Sequence, residues 1–180
     1  MRLFIAVFLA LALAGCATNQ TRSNQTTYNQ AAAPTEVSFN ATATPNAAAY
    51  KTYFFLPPDG QENKRDFPQY AAQVDQVLAQ NGFVKTQDSK QANLIVGLVT
   101  AVENERHTET GSYYPMGFML TAWAQPARGT RDIQKVWRVS ATAKSQNNDF
   151  SSIFPNMLQA TSPYIAKDSG GTIRINVPGK

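Results

Sequence analysis

The stretch 133–144 places Trp137, Val139, Ala141 and Ala143 on one parity and Arg138, Ser140, Thr142 and Lys144 on the other. Side chains on a strand alternate between faces, so this segment buries one face and wets the other. One-sided strands of this kind belong in antiparallel sheets, where one face packs on a core and the second meets water. The rest of the chain must then supply the layer that covers the Trp137 face.

Six segments read as strands: 36–39, 50–56, 93–102, 118–124, 133–144 and 172–177. The runs YKTYFFL at 50–56 and NLIVGLVTAV at 93–102 are apolar on both parities, which predicts central strands covered on both sides. Residues 113–117 read as an aromatic loop leading into the fourth strand. Between the second and third strands the period changes. Tyr70, Val74, Val77 and Leu78 recur at helical spacing behind Asp66, a candidate cap, with Pro68 in the first turn. Asn81-Gly82 closes that helix, and Phe83 is placed to fold back on Leu78 in a Schellman ending. Gln69, Gln73, Asp75, Gln76 and Gln80 form its outer, polar face. A second helix, capped by Asp149 or Ser152, carries Ile153, Phe154, Met157 and Leu158, with Pro155 expected in its first turn and Pro163 at its end. Gly170-Gly171 make a turn before the last strand. The expected fold is α+β, a mostly antiparallel sheet of about five or six strands with two helices packed on one face.

Residues 1–16, MRLFIAVFLALALAGC, hold one charge, Arg2, ahead of an apolar run ending at Leu13. A bilayer span needs about 20 apolar residues, so this run is too short to cross and suits a secretory signal. Two processing readings compete. Ala12-Leu13-Ala14 fits an ordinary signal peptidase, which leaves Cys16 as a free thiol. Leu13-Ala14-Gly15-Cys16 resembles the bacterial lipoprotein signal, and that resemblance implies cleavage before Cys16 and its acylation. The second reading accounts for a lone cysteine in an exported chain, where it otherwise has nothing to pair with. By the same resemblance, Ala17 in place of a retention aspartate implies sorting to the outer membrane, with the domain facing the periplasm. Residues 17–34 are rich in Asn, Gln, Thr, Ser and Ala and cannot offset their ordering entropy, so they are expected to be a tether with a reach on the order of 25 Å. The expected organisation is a signal peptide at 1–15, acylated Cys16 and tether at 16–34, and one domain at 35–178.

Sixteen basic against twelve acidic residues give a formal charge of +4. In an exported lipoprotein this points to the membrane itself, to other envelope proteins, or to anionic lipopolysaccharide or peptidoglycan, and not to nucleic acid. The basic positions Arg128, Arg131, Lys135, Arg138 and Lys144, beside Tyr113, Tyr114 and Trp123, are a candidate surface for an anionic ligand. Exposed strands also carry Lys and Arg simply to discourage edge pairing.

Glu103, Glu105, His107 and Glu109 share one parity, and carboxylates with an imidazole are divalent-metal ligands. Same-face residues on a strand stand about 6–7 Å apart, too far for one ion, so no metal is expected. There is no nucleophile elbow, no Ser-x-x-Lys and no phosphate-cradling glycine loop, and His107 is the one histidine. No cofactor and no catalysis are expected; the chain reads as a structural or interaction module, or else as a binding module for a small apolar or anionic ligand held between helices and sheet.

The run Tyr50-Lys51-Thr52-Tyr53-Phe54-Phe55-Leu56-Pro57-Pro58, the Val74-Asp75 helix with its Leu-x-x-x-Gly-Phe ending at Phe83, and Ala92-Asn93-Leu94-Ile95-Val96 resemble an uncharacterised bacterial lipoprotein family whose members carry a domain of unknown function. The lipobox and Val136-Trp137-Arg138 fit it too, over roughly 35–178; Asn93 stands where the family usually has aspartate. The resemblance implies fold and location, and it carries no catalytic residue.

Overall fold

The computed structural model describes residues 34–56, 65–126 and 132–178. The signal, Cys16, the tether and the basic positions Arg128 and Arg131 lie outside them. In chain order the elements are β1 (Thr35–Ala43), β2 (Thr52–Phe55), α1 (Phe67–Gln80), β3 (Val84–Lys85), β4 (Leu94–Val102), β5 (Arg106–Thr108), β6 (Gly111–Ala124), β7 (Lys135–Ser145), α2 (Phe150–Thr161) and β8 (Ile173–Val177). The strands form one sheet in the order β3-β2-β4-β6-β7-β1-β8, with β5 pairing on β6. All neighbours are antiparallel except β2, which runs parallel to both β3 and β4.

The fold is therefore α+β, with eight strands where five or six were expected. The two additions, β3 and β5, hold two and three residues, too few for any periodicity to register. The aromatic loop expected at 113–117 is instead the first half of β6, which pairs with β5 on one side and β7 on the other. Tyrosines suit a pleated surface, and here both flanking edges are occupied.

Register explains the core. Phe118 lies across from Ala141, Leu120 from Val139, and Ala122 from Trp137, so the apolar parity of β7 continues through β6. The same row extends to Leu98 and Val96 of β4 and to Phe39 and Ala41 of β1. Both helices pack on this face. Phe154 of α2 is fully buried, and its ring meets Tyr70 of α1 at 4.8 Å and Phe118 of β6 at 5.3 Å.

Helix α1 ends as its sequence predicts. Gly82 adopts φ +80°, Phe83 N–H donates to Leu78 O at 3.0 Å, and Gly82 N–H donates to Ala79 O at 3.0 Å. Those two bonds satisfy carbonyls that a helix end leaves open. Its start differs: Asp66 holds the cap position, but its side chain makes no cap bond, and its backbone carbonyl accepts from Gln69 and Tyr70 instead. Asp149 does cap α2, its carboxylate accepting from Ser152 N–H at 3.3 Å. Because α2 begins at Phe150, Pro155 falls beyond the first turn, inside the helix. Its ring nitrogen cannot donate to the carbonyl of Ser151, and that group is left for solvent or a side chain.

Asp75 was expected on the outer polar face of α1, and it points inward. Tyr53 of β2 donates to it at 2.7 Å, and Lys85 of β3 donates at 2.5 Å. This carboxylate ties the helix to the edge strand β3 and to β2, its parallel neighbour. Burial first, and then the hydrogen bond and charge of Asp75, hold the Tyr53 phenol well above the usual tyrosine range.

Candidate functional site: the uncovered face of the sheet

The helices cover one face of the sheet, and no described element covers the other. The runs 50–56 and 93–102 were expected to be covered on both sides; the structure overturns this. Phe54, Ile95, Val99, Met119 and Trp123 occupy the second parity of β2, β4 and β6 and remain half-buried or exposed. Val99 keeps 40% of its surface in water, Leu56 49% and Ile133 66%. An apolar stripe on an open sheet face is a costly thing to leave wet, and contiguous exposed patches mark interaction surfaces.

The stripe is shaped as well as apolar. The Trp123 indole reaches over Gly97, where a Cβ would stand 3.0 Å from it, so glycine allows an approach to β4 that any other residue would make the ring give up by a few tenths of an ångström. Next to it, Leu56, Ile95, Trp123, Ala124, Pro126 and Ile133 enclose a groove of about 340 Å³. Two cations stand close to Trp123 in the strand register. Lys135 lies across from Trp123, and Arg138 lies across from Thr121, two pairs along and past a β-bulge between Ala122 and Trp123. Neither forms an ion pair among the described residues. Thr121 Oγ1 and Arg138 Nε are both buried without a hydrogen-bond partner among the described residues.

Of the five basic residues expected to act together, Lys135, Arg138 and Lys144 lie among the described residues. Arg128 and Arg131 are not among the described residues. Arg138 and Lys144 are six positions apart on β7, roughly 20 Å along a strand, so they serve different places. Lys144 sits over the Tyr113 ring at 5.0 Å, in a second groove of about 260 Å³ that also holds Glu36, Glu103 and Arg106. That groove carries two acidic and two basic side chains and has no net preference for an anion.

The carboxylate and histidine residues are also separated. Glu103 pairs with Arg106, and His107 Nδ1 lies 2.6 Å from Ser112 Oγ across the β5–β6 hairpin. Glu105 and Glu109 are exposed. No three His, Cys, Asp or Glu side chains gather around one point among the described residues. A third cavity, about 270 Å³, lies where the two helices start, with Asp66, Tyr70 and Asp149 in its wall. Burial and then those two carboxylates raise the Tyr70 phenol above its usual range.

Sequence reasoning did not bring Leu56, Ile95 and Ile133 to Trp123, nor Thr121 to Arg138. One signal was present: Met119, Thr121 and Trp123 occupy the parity opposite Phe118, Leu120 and Ala122, so β6 has an apolar second side. Whether such a side is covered depends on helix placement, which periodicity does not report.

The fold recurs in solved structures of low identity. A DUF4136 family protein from Bacteroides thetaiotaomicron matches with TM-score 0.52 at 10% identity, over 71% of this chain and 96% of that one. A PDZ domain protein from Parabacteroides distasonis matches with TM-score 0.53 at 12% identity, over 81% of this chain but only 40% of its own length. A looser likeness, short of a shared fold, is to the PelC dodecamer from Paraburkholderia phytofirmans, with TM-score 0.49 at 14% identity over 73% of this chain and 99% of that one. No curated protein matches the sequence. The model of a domain of unknown function, DUF4136, matches residues 36–160, which takes in the whole sheet but for the last strand and the first residue of β1, together with α1 and most of α2. The chain belongs to the DUF4136 family.

Proposed function

We propose that this chain is a lipoprotein of the cell envelope, held to the outer membrane by acylated Cys16, and that its domain acts without catalysis as an interaction module through the uncovered sheet face. The observation that carries this reading is the apolar stripe of Phe54, Ile95, Val99, Met119 and Trp123 on a face that no described element covers. The lipobox supports the anchor, because a lone cysteine behind a short apolar signal has a use in acylation. No described helix is long and apolar enough to cross a membrane. Displaced protonation at Tyr53 and Tyr70 follows from burial first and then from structural carboxylates, which gives it a role in packing. Partners in this reading are other envelope proteins, peptidoglycan or lipopolysaccharide.

A second reading, a binding module for a small apolar or anionic ligand, is favoured by one feature, on the sheet face opposite the helices and not between helices and sheet: the groove lined by Trp123, with Lys135 and Arg138 near that residue in register. Crosslinking in intact cells followed by mass spectrometry tests the main proposal. Crosslinks that trace to the open face and vanish with Val99→Asp support it. Crosslinks confined to the outer sides of α1 and α2 refute it. Fractionation tests the anchor, since Cys16→Ala must release the protein from membranes.

A further inference from the structure

From the groove and the cations beside it, we infer that the uncovered sheet face binds an anionic amphiphile with a linear aliphatic chain, the chain lying in the groove against Trp123 and the head meeting Arg138. This inference rests on the reading that the open face is the working surface, and it names the ligand class for that face.

Three features converge. The groove is walled by Leu56, Ile95, Trp123, Ala124, Pro126 and Ile133, none of which brings a charge or a side-chain acceptor. Apolar matter entering it gains about 25 cal/mol for each Å² removed from water, and nothing in the wall rewards a polar guest. Gly97 lets the indole sit close to β4, since a Cβ there would make the ring give by a few tenths of an ångström.

Charge selects the head. In an antiparallel pair, diagonal neighbours on one face stand about 7–8 Å apart, within reach of a long side chain. Lys135 is the direct partner of Trp123, and Arg138, partner of Thr121, lies on the far side of a β-bulge between Ala122 and Trp123, which adds one residue to the usual diagonal step. Two cations therefore lie near Trp123 in the register of β6 and β7, outside the groove wall itself, and neither is neutralised by a described carboxylate. Asp132, next to Ile133 in sequence, is the acidic residue nearest along the chain, and it is exposed. Arginine offers a planar fork that matches a carboxylate or phosphate. The unpartnered Arg138 Nε and Thr121 Oγ1 leave hydrogen-bonding capacity in that row. A neutral alkane would leave those cations unused, and a bare anion would leave the groove empty. A molecule with both parts meets both.

The test uses the full chain carrying Cys16→Ala, so that no acyl group of its own competes. Decyl phosphate is titrated below its micelle concentration and followed by calorimetry. The expected result is saturable one-to-one binding. Inorganic phosphate alone shows none, and decyl glucoside binds at least tenfold more weakly. Arg138→Gln weakens decyl phosphate at least tenfold, and Ile133→Asp does likewise while leaving the melting temperature unchanged. Vesicles of anionic phospholipid form the last arm. Binding to vesicles without binding to decyl phosphate would mean that the face meets a bilayer surface, and the inference would be overturned. It is equally overturned if decyl phosphate gives no saturable heat, or if both variants bind like the parent. Should the ligand fail while open-face crosslinks persist in cells, the interaction reading stands without this ligand; loss of both removes both.

Discussion

Phe154 is the residue that most directly fixes both helices to one side of the sheet. Its side chain is 0% exposed, and its ring touches Tyr70 of α1, Phe118 of β6 and Phe150 of its own helix at 4.8, 5.3 and 5.3 Å. Truncation of a buried Phe to Ala costs about 3–5 kcal/mol, and the cost rises with the cavity that neighbours fail to close. Here three aromatic pairs are lost together, each contributing roughly 0.5–1.5 kcal/mol beyond its area. The neighbouring rings are held by separate elements and cannot all collapse inward, so the upper half of that range is expected. Phe154→Ala should therefore lower stability by about 4 kcal/mol, which for a domain of this size is a fall in melting temperature of roughly 10–15 °C. Differential scanning calorimetry and urea titration both read it. Phe154→Leu keeps most of the volume and should cost less than half as much. A loss under about 1 kcal/mol for Phe154→Ala, with unfolding still cooperative, would refute the packing argument and with it the reason that the other face stays open.

Tyr53→Phe removes the hydrogen bond to Asp75 and should cost about 1–2 kcal/mol at neutral pH, read by urea unfolding. The raised phenol makes the folded state bind its proton longer than the unfolded chain does, so its stabilisation is complete below about pH 10 and is lost as pH rises further. The variant should accordingly lose less stability than the parent between pH 9 and 11, with Tyr70 supplying the remaining alkaline slope; equal slopes would show that Tyr53 is not so held. Gly82→Ala has open space around its new Cβ, so its cost of about 1 kcal/mol comes from the backbone at φ +80° alone, and Gly82→Asn should recover part of it.

Local chemistry made much of the fold legible. The ending of α1 was readable because Asn81-Gly82-Phe83 satisfies its own carbonyls, independent of the rest of the molecule. The β7 alternation was readable because one strand reports its own burial, and Val139, Ala141 and Ala143 do face the core. What failed depended on neighbours. Asp75 looked like a solvent residue until β2 and β3 brought Tyr53 and Lys85 to it from either side in sequence. Among the described basic residues, strand geometry separates Arg138 from Lys144, and Lys144 settles on Tyr113. The groove was illegible for the same reason: Leu56, Ile95, Trp123 and Ile133 come from four places in the chain, and only the register of β4, β6 and β7 gathers them. An apolar residue has no mark in sequence that tells a covered face from an uncovered one.

Hydroxyl-radical footprinting, compared between purified protein and intact cells, tests most directly whether the uncovered face is the surface that works. Leu56, Met119, Trp123 and Ile133 should be oxidised readily in the purified chain and protected in cells, while Phe118 and Phe154 stay protected in both. Equal oxidation of the four open-face residues in the two conditions, or protection gained on the outer sides of α1 and α2 instead, would contradict the account.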